Sequence, residues 1–434
     1  MTYDEAITYL KGLTKFGMNL GLGRIQELLR RLGNPHRRLN IIHVGGTNGK
    51  GSTTAMIAGI LRAAGYKTGM FTSPHLHSYT ERFLINGRPI AEAKLAQLLT
   101  EIRPHMDNMV AEGFEHPTEF EVSTALALLY FAMEETDYVA LEVGLGGAID
   151  STNVVTPLVS VITNVTLDHM DHLGSTVEEI ARVKSGIIKK GVPVVTAAEG
   201  VALEVIWQAA KANQSRLILV GKDVTWSSVQ PRDNNGGYQQ FKIKGLHNHY
   251  HIQLPLLGSH QRINAATAVA AVEMLFSNGG HPVPAAAVVE GLQRVHWPGR
   301  LEVVRKNPTV LLDGAHNHAG ARALRQALLE YFPDRQLIFV LGMLADKERS
   351  KVVAELAPLA KAVVVTRSNH PRAGDWTKLA DYVKKYLEDV MIIEDVRQAV
   401  KTVLDKARQD DILCITGSLY MVAEARSVLG LSSV

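Results

Sequence analysis

Cysteine is nearly absent from this chain of 434 residues, in which Cys414 is the only one. A single cysteine cannot form an intrachain disulfide bond or a zinc site built from several cysteines. The sequence also lacks an apolar run of the roughly 18 residues that a membrane helix needs. Its first residues include Asp4 and Glu5, where a signal peptide would carry Lys or Arg. These absences predict a cytoplasmic protein without a membrane partner.

The chain also has no large excess of positive or negative charge. The formal net charge is +3, from 46 Lys and Arg against 43 Asp and Glu. Nucleic-acid binders usually concentrate basic residues on one face, so this balance argues against a nucleic-acid partner. Apolar residues make up 46% of the chain and charged residues 21%, which is typical of a globular protein. The length exceeds one ordinary core, and we expect at least two domains.

Short apolar segments alternate with segments of helical spacing along the first part of the chain. The predicted strands there are 39–44, 68–72, 138–143, 158–163 and 192–197. Strands that alternate with helices form a doubly wound, mostly parallel sheet, with functional loops beyond the strand C-termini. Residues 222–256 are polar and alternating around Asn234-Asn235-Gly236-Gly237, which predicts a small antiparallel hairpin.

The alternation restarts after Trp297-Pro298-Gly299. Strands are predicted there at 309–313, 337–342, 362–367, 390–394 and 412–416. We therefore expect an α/β protein with a domain boundary near residue 297. Residues 1–296 would form a domain with a mostly parallel, doubly wound sheet, and residues 297–434 a second, smaller Rossmann-like α/β domain.

A glycine-rich segment joins the first predicted strand to the following helix and reads Gly45-Gly46-Thr47-Asn48-Gly49-Lys50-Gly51-Ser52. Glycines let backbone N–H groups point inward, the helix N-terminus adds positive potential, and Lys50 supplies a charge for the outer phosphates. The strict Walker pattern is not met, because it needs Gly at Val44 and Ser or Thr at Gly51. The alternative is an ordinary glycine-rich turn, but the lysine and the hydroxyl groups after it favour a phosphate loop.

Residues 46–52 resemble the phosphate loop of the folylpolyglutamate synthases, a family within the Mur ligase superfamily. Further segments resemble that family in the same order along the chain: Thr72-Ser73-Pro74-His75-Leu76, Thr118-Glu119-Phe120-Glu121, Glu142-Val143-Gly144-Leu145-Gly146-Gly147, Lys184-Ser185-Gly186-Ile187 and Asp313-Gly314-Ala315-His316-Asn317. The resemblance implies an ATP- and Mg²⁺-dependent ligase that joins L-glutamate to a folate through an acyl phosphate. It also implies that the first domain binds ATP and that the second is the glutamate ligase domain. We expect the chain to be a monomer.

The resemblance further implies a role for individual residues. ATP would be bound by Gly46, Thr47, Asn48, Gly49, Lys50, Gly51, Ser52, Asn264, Arg300 and Asp313. Metal ions would be bound by Ser73, Glu142 and His169. The catalytic residues would be Lys50, Lys184 and His316. From the residues alone, Ser73 could also cap a turn, Glu142 could be a paired acid, and His169 an ordinary loop residue.

Lys184 is expected to be carbamylated, because the segment that contains it resembles the family's carbamate-lysine block. A bare ammonium group close to magnesium would be repelled and costly to desolvate, whereas a carbamate is an anion with two oxygens. The alternative is an ordinary surface lysine on an amphipathic helix, since Lys189 and Lys190 lie nearby.

Ala148 departs from the family, whose members usually have Arg at this position. The missing cation could weaken binding of the pterin or of the carboxylate. We therefore expect activity on tetrahydrofolate to exceed activity on dihydropteroate, which bacterial relatives often also accept.

Two other functions remain open at this point. One is a Mur-type ligase for a peptidoglycan precursor, against which Gly51 and Ser73-Pro74-His75-Leu76 count. The other is a nucleotide-binding switch without ligase activity. The second strand–helix domain with Asp313 and His316 counts against a switch.

Overall fold

The structure is a computed structural model, and it describes residues 1–17, 19, 21–228, 237–276 and 283–431. The described residues divide into two compact units. The first consists of Met1–Ser228, Phe241–Ile252 and Arg262–Val295, and the second of Val229–Gln240, Gln253–Gln261 and His296–Val434. The main division therefore falls between residues 295 and 296, and the assignment of a function to each side of it stays a prediction.

An eight-stranded sheet forms the centre of the first unit, with the strand order β4-β3-β2-β5-β1-β6-β7-β8. Its strands are β1 (Ile41–Gly45), β2 (Thr68–Phe71), β3 (Phe83–Ile85), β4 (Arg88–Pro89), β5 (Tyr138–Glu142), β6 (Val159–Ile162), β7 (Val194–Thr196) and β8 (Leu217–Leu219). The six strands from β2 to β8 in this order are parallel, and β3 and β4 are antiparallel additions at one edge. Every residue of β1 is buried, as expected for the centre of a covered parallel sheet.

Helices connect these strands, and several begin at a capping box. Thr118 and Glu121 cap the start of α5 in this way, and Thr176 and Glu179 cap α7. The helices are α1 (Tyr3–Leu13), α2 (Gly23–Arg31), α3 (Lys50–Ala63), α4 (Glu92–Ala111), α5 (Glu119–Met133), α6 (Met170–Leu173), α7 (Val177–Ser185), α8 (Gly200–Ala212), α9 (Ser259–Phe276) and α10 (Ala285–Gln293). Within the described ranges, no helix combines the length and the apolar character needed to cross a membrane.

The hairpin prediction is only partly matched. Three strands form a small separate sheet in the order β11-β10-β9: β9 (Thr225–Ser228), β10 (Gln239–Lys244) and β11 (His249–Leu254). Strands β9 and β10 pair antiparallel, as predicted. The predicted turn lies outside the described residues except for Gly237, and the third strand is additional.

The second sheet has six strands in the order β12-β13-β17-β14-β15-β16. They are β12 (Glu302–Lys306), β13 (Thr309–Asp313), β14 (Leu337–Leu341), β15 (Ala360–Arg367), β16 (Val390–Asp395) and β17 (Ile412–Thr416). The helices are α11 (His318–Tyr331), α12 (Arg349–Leu356), α13 (Lys378–Val383), α14 (Val396–Lys406) and α15 (Leu419–Val428). All strands except β12 run parallel, and the predicted fold class is confirmed.

Candidate active site

The order of the strands brings several predicted site residues to one edge of the first sheet. β1 lies between β5 and β6, and β2 lies beyond β5. These four strands are parallel, so the segments that follow them emerge at the same edge. The phosphate loop follows β1, Ser73 follows β2, and Glu142 is the last residue of β5. The neighbours of β1 therefore supply the surroundings of the phosphate loop.

Two glycines of the phosphate loop occupy positions that no other residue fits. Gly46 has a φ of 137°, and a Cβ there would lie 1.9 Å from Oγ1 of Thr163. Gly49 has a φ of 83°, and a Cβ there would lie 2.4 Å from Oδ1 of Asn264. Both φ values lie in the region that favours glycine. Asn264, on α9, therefore lies directly against the loop, where it was predicted to contribute to ATP binding.

The backbone of the loop is bound by the segment after β6. Asn164 accepts a hydrogen bond from the N–H of Asn48 at 3.0 Å and donates one to the carbonyl of the same residue at 3.1 Å. The Thr163 hydroxyl donates to that carbonyl as well, at 2.7 Å, and the N–H of Thr47 donates to the Asn164 carbonyl at 2.8 Å. These contacts fix the backbone of the loop. The position of Asn164 in the sequence does not indicate this role. The last residues of the phosphate loop, Gly51 and Ser52, are buried in the first turn of α3.

Two lysines donate to the same backbone carbonyl of the loop. Nζ of Lys50 lies 3.3 Å from the Gly46 oxygen and 3.2 Å from the Thr47 oxygen. Nζ of Lys184, on α7, lies 2.9 Å from the Gly46 oxygen. Two cationic side chains thus converge on a loop whose backbone can also bind an anion.

Lys184 is not a surface lysine, because only 4% of the residue is exposed. Burial, and next the positive charge of Lys50, lower the pKa of Lys184 to about 7. α7 packs directly against the segment after β5 because residue 147 is glycine. A Cβ at Gly147 would lie 2.7 Å from the Val183 carbonyl oxygen. The alternative that Lys184 is an ordinary surface lysine is therefore wrong. Lys190, by contrast, is exposed.

Ser73 and Glu142 lie together at the edge of the first sheet. The backbone N–H of Ser73 donates to Oε2 of Glu142 at 3.2 Å, and Glu142 is 5% exposed. Their strands β2 and β5 are neighbours in the sheet, which explains the contact. Ser73 and the Glu142 carboxylate are therefore in contact at the sheet edge that the phosphate loop also occupies.

His169 follows β6, on the other side of β1, and caps the short helix α6 with a φ of 51°. Its Nε2 lies 3.8 Å from Oδ1 of Asp168. In the part of the chain that the structure describes, no group of three or more His, Cys, Asp and Glu surrounds a possible ion. His169 is therefore at the predicted edge but not in such a group.

The donor set fits magnesium. Mg²⁺ prefers oxygen ligands and usually binds with one or two protein carboxylates, several waters and phosphate oxygens of a nucleotide. The Ser73 hydroxyl and the buried Glu142 carboxylate are oxygen ligands of this kind. A protein cage of three acids is not required for such a site.

Buried polar groups fix the segment that follows Glu142. Asp150 accepts a hydrogen bond from the N–H of Leu145 at 2.7 Å and from that of Thr152 at 2.9 Å. The Thr152 hydroxyl lies 2.8 Å from Nε2 of His43, in the middle of β1. Burial raises the pKa of Asp150. Asp150 therefore positions the segment from Leu145 to Thr152.

The turn after β13 carries the predicted site of the second unit. Oδ2 of Asp313 accepts from the N–H of Leu301, and Oδ1 accepts from that of Ala315, both at 2.8 Å. Burial raises the pKa of Asp313, and the charge of Arg300 acts in the opposite direction. Arg300 lies against the turn, since a Cβ on Gly314 would be 2.5 Å from its Nη1.

His316 lies in the same turn. Its Nδ1 is 2.8 Å from the Gly314 carbonyl oxygen, which can only accept, so Nδ1 carries a proton. Asn317 then begins α11 by accepting from the N–H of Gly320 at 2.8 Å. Arg300, Asp313 and His316 are thus brought together around Gly314, as their positions in the sequence implied.

Comparisons with known proteins identify the families that the two parts of the chain resemble. Residues 44–272 match the family model of the Mur ligase middle domain, and residues 299–419 that of the Mur ligase glutamate ligase domain. The dihydrofolate synthase/folylpolyglutamate synthase of Bacillus subtilis is 38% identical over 430 residues, which cover 98% of this chain and 99% of the relative.

Solved structures are similar over the whole chain. One is the folylpolyglutamate synthase of Mycobacterium tuberculosis complexed with ADP and AMPPCP, with a TM-score of 0.90, 34% identity and 99% of both chains covered. Another is E. coli FolC in complex with DHPP and ADP, with a TM-score of 0.88 and 30% identity, covering 99% of this chain and 98% of that one.

Proposed function

This chain belongs to the folylpolyglutamate synthase and dihydrofolate synthase family of Mur ligases, and from that membership we propose how its own residues carry out the reaction. It is an ATP-dependent ligase that adds L-glutamate to folates and uses Mg²⁺. The observation that carries the residue-level proposal is the meeting of the phosphate loop, Ser73 and Glu142 at one edge of the first sheet.

We propose that residues 1–296 bind ATP. The loop residues Gly46, Thr47, Asn48, Gly49, Gly51 and Ser52 would surround the phosphates with backbone N–H groups and hydroxyls, with Lys50 as the outer charge. Asn264 would contact the nucleotide from α9. In the second domain, residues 297–434, we propose Arg300 and Asp313 as further ATP contacts.

The proposed magnesium residues are Ser73, Glu142 and His169. The ion would neutralise charge on the phosphate oxygens while the phosphoryl group is transferred. Glu142 would keep its carboxylate oriented through the Ser73 N–H, which already donates to it. An imidazole nitrogen is a poorer ligand for Mg²⁺ than oxygen, so His169 would act through a bound water.

We propose that Lys184 carries a carbamate. Its low pKa leaves a large fraction of the amine neutral near pH 7, and only the neutral amine can attack carbon dioxide. Attack forms the N–C bond, and the amine loses a proton to solvent. The product is an anion next to Lys50, where two ammonium groups repel each other in the unmodified protein.

The reaction then runs in two steps. A folate carboxylate oxygen attacks the γ-phosphorus of ATP, ADP leaves, and an acyl phosphate forms. The amine of glutamate attacks the acyl carbon, phosphate leaves, and an amide results. We propose that His316, whose Nδ1 donates to the Gly314 carbonyl, binds glutamate or the departing phosphate.

The decisive experiment measures ADP release with ATP, Mg²⁺, tetrahydrofolate and L-glutamate, and with each omitted in turn. Release should require all four together. ATP consumption that ignores folate would support the nucleotide switch, and activity on a peptidoglycan precursor in place of folate would support the other Mur-type ligase.

Three finer points are also proposals. Tetrahydrofolate is the proposed preferred folate, with dihydropteroate as a second substrate. The proposed state is a monomer, which light scattering at working concentration tests directly. The proposed compartment is the cytoplasm, where ATP and reduced folates are both available, and cell fractionation tests it.

A further inference from the structure

The loop that carries Ser73, residues 72–78, is stabilised mainly by contacts of its backbone N–H groups. Thr72 donates to the Arg82 carbonyl at 3.2 Å, and Ser73 donates to Glu142. The following half of the loop depends on one side chain. Glu81 accepts from the N–H groups of three consecutive residues, at 2.8 Å from Leu76, 3.2 Å from His77 and 2.9 Å from Ser78.

Glu81 is only 9% exposed. A buried carboxylate is costly unless hydrogen bonds satisfy it, so the loop conformation and the ionised Glu81 stabilise each other. Both carboxylate oxygens take part, since Leu76 donates to Oε2, Ser78 to Oε1 and His77 to both. Replacing one oxygen by an amide NH₂ would set a donor against donors.

The next residue, Arg82, secures the middle of the loop. Its Nε donates to Nδ1 of His75 at 3.1 Å, and its Nη1 lies 3.0 Å from Oε1 of Glu119 on α5. The guanidinium group also lies 4.5 Å from the centre of the Tyr79 ring. Arg82 thus ties the loop to α5, while Glu81 sets the path of the loop backbone.

We propose that Glu81 is a positioning residue for magnesium, because its carboxylate sets the path of the 72–78 loop and so keeps Ser73, whose backbone N–H donates to Glu142, at the proposed metal site. Glu81 does not touch the ion and acts through Ser73. This inference rests on the proposed function, in which Ser73 and Glu142 bind Mg²⁺.

The competing explanation is that Glu81 only stabilises the fold, and the chain offers a matched control. Glu273 on α9 is 8% exposed and accepts from three backbone N–H groups in the turn before β11, those of Leu246, His247 and Asn248. That turn contains no proposed site residue. Glu81→Gln and Glu273→Gln therefore make the same chemical change in two different loops.

The measurement is the binding of a fluorescent ADP analogue, in EDTA and across a Mg²⁺ titration. For Glu81→Gln we expect affinity in EDTA to stay within about twofold of wild type and the Mg²⁺ midpoint to rise about tenfold, the scale for losing a group that orients a metal ligand. For Glu273→Gln we expect a similar loss in unfolding temperature and a midpoint within about twofold of wild type.

Ser73→Ala separates this inference from the proposed function. If Ser73→Ala raises the midpoint and Glu81→Gln does not, the role of Glu81 is refuted while the metal site stands. If Ser73→Ala leaves the midpoint unchanged, the proposed metal site itself is wrong. A shift in Glu273→Gln equal to that in Glu81→Gln would show a general structural effect and overturn the inference.

A double variant tests whether Glu81 acts through Ser73. In Ser73→Ala/Glu81→Gln, the midpoint should match that of Ser73→Ala alone, because the group being positioned is already gone. Multiplied shifts would show an independent role and refute the proposal. Should Glu81→Gln fail to fold, Glu81→Asp retains the charge with a shorter reach, and its midpoint decides by the same criterion.

Discussion

The phosphate loop after β1 and the turn after β13 occupy equivalent places, each at the carboxyl end of a parallel strand and before a helix. Their charged groups are used differently. In the first, the amino groups of Lys50 and Lys184 both donate to the Gly46 carbonyl, in a loop whose backbone N–H groups can bind an anion. In the second, the Asp313 carboxylate already accepts two backbone N–H groups. The first region is arranged to receive an anion, whereas both carboxylate oxygens of Asp313 already bind the backbone of their own turn.

Among the substitutions that test this difference between the two regions, removal of the buried Lys184 should have the largest effect on turnover. Lys184→Ala should be nearly inactive, and small carboxylic acids in the buffer should partly restore turnover, because they replace the carbamate oxygens. Lys189→Ala is the control, since Lys189 also donates to a backbone carbonyl, that of Asn153 at 3.3 Å. An active Lys184→Ala variant, together with a plain ammonium at Lys184 in a magnesium–nucleotide complex, would refute the carbamate.

The pKa of Lys184 adds a pH dependence to this test. Because the pKa is lowered to about 7, the neutral amine that reacts with carbon dioxide predominates above pH 7 and is lost as the pH falls below it. The carbamate fraction, measured by carbon-13 NMR with labelled bicarbonate, should therefore fall as the pH is lowered through 7. A carbamate signal that does not change between pH 8 and pH 6 would contradict the assignment.

Lys50→Ala should have the second-largest effect on activity. We expect a loss of at least about 3 kcal/mol of transition-state stabilisation in kcat/KM, the scale of one lost charge-stabilising donor. Lys190→Ala, at an exposed position, should leave kcat/KM unchanged. Near-normal rate constants for Lys50→Ala would show that this loop does not bind the reacting phosphates.

Asp313→Asn probes the second region, where we expect a structural effect. The amide would place a donor against the N–H of Leu301 or Ala315, which should cost about 1–3 kcal/mol in the free energy of unfolding. Asp410→Asn, in which the side chain is 99% exposed, is the control for urea denaturation. An unchanged stability with lost ATP binding would mean that Asp313 is chiefly a ligand contact, and the contrast between the regions would fail.

Glycine substitutions in the two turns should also differ. Gly49→Ala combines a φ of 83° with a clash against Asn264, and we expect a loss of about 1–2 kcal/mol in stability together with weaker ATP binding. At Gly314 no positive φ is involved, and a Cβ would meet only side-chain atoms, with Nη1 of Arg300 and Cδ2 of Leu419 both at 2.5 Å. Gly314→Ala should therefore be milder, as thermal unfolding with and without ATP can show.

The smallest expected effect concerns the folate. Ala148 lies against the C-terminal end of α7, since a Cβ on Gly186 would be 2.3 Å from the Cβ of Ala148. The side chain of Ala148 supplies no cation. Rates on tetrahydrofolate should therefore exceed rates on dihydropteroate when both are measured side by side. A clear preference for dihydropteroate would contradict this expectation.

Most of the fold was predictable because buried parallel strands give continuous apolar runs. Strands β13 and β17 match the predicted bounds, and β1, β2 and β5 differ by one or two residues. The short strands β3, β4 and β8 at the edges of the first sheet and the antiparallel β12 were missed. Both residues of β4 are exposed, and β12 has no fully buried residue, so neither produces a strong apolar pattern.

The sequence by itself determined the phosphate loop, because that loop depends on the local spacing of glycines and lysine. It also determined the order of the segments whose resemblance to the family implies the reaction. Only the tertiary structure decided which lysine is buried, since the pKa of Lys184 reflects its packing beside the phosphate loop, 138 residues away from Gly46 in sequence. The same holds for Asn164 and Glu81. Their partners are backbone N–H groups, which every residue except proline carries, so sequence cannot show which of them a side chain will bind.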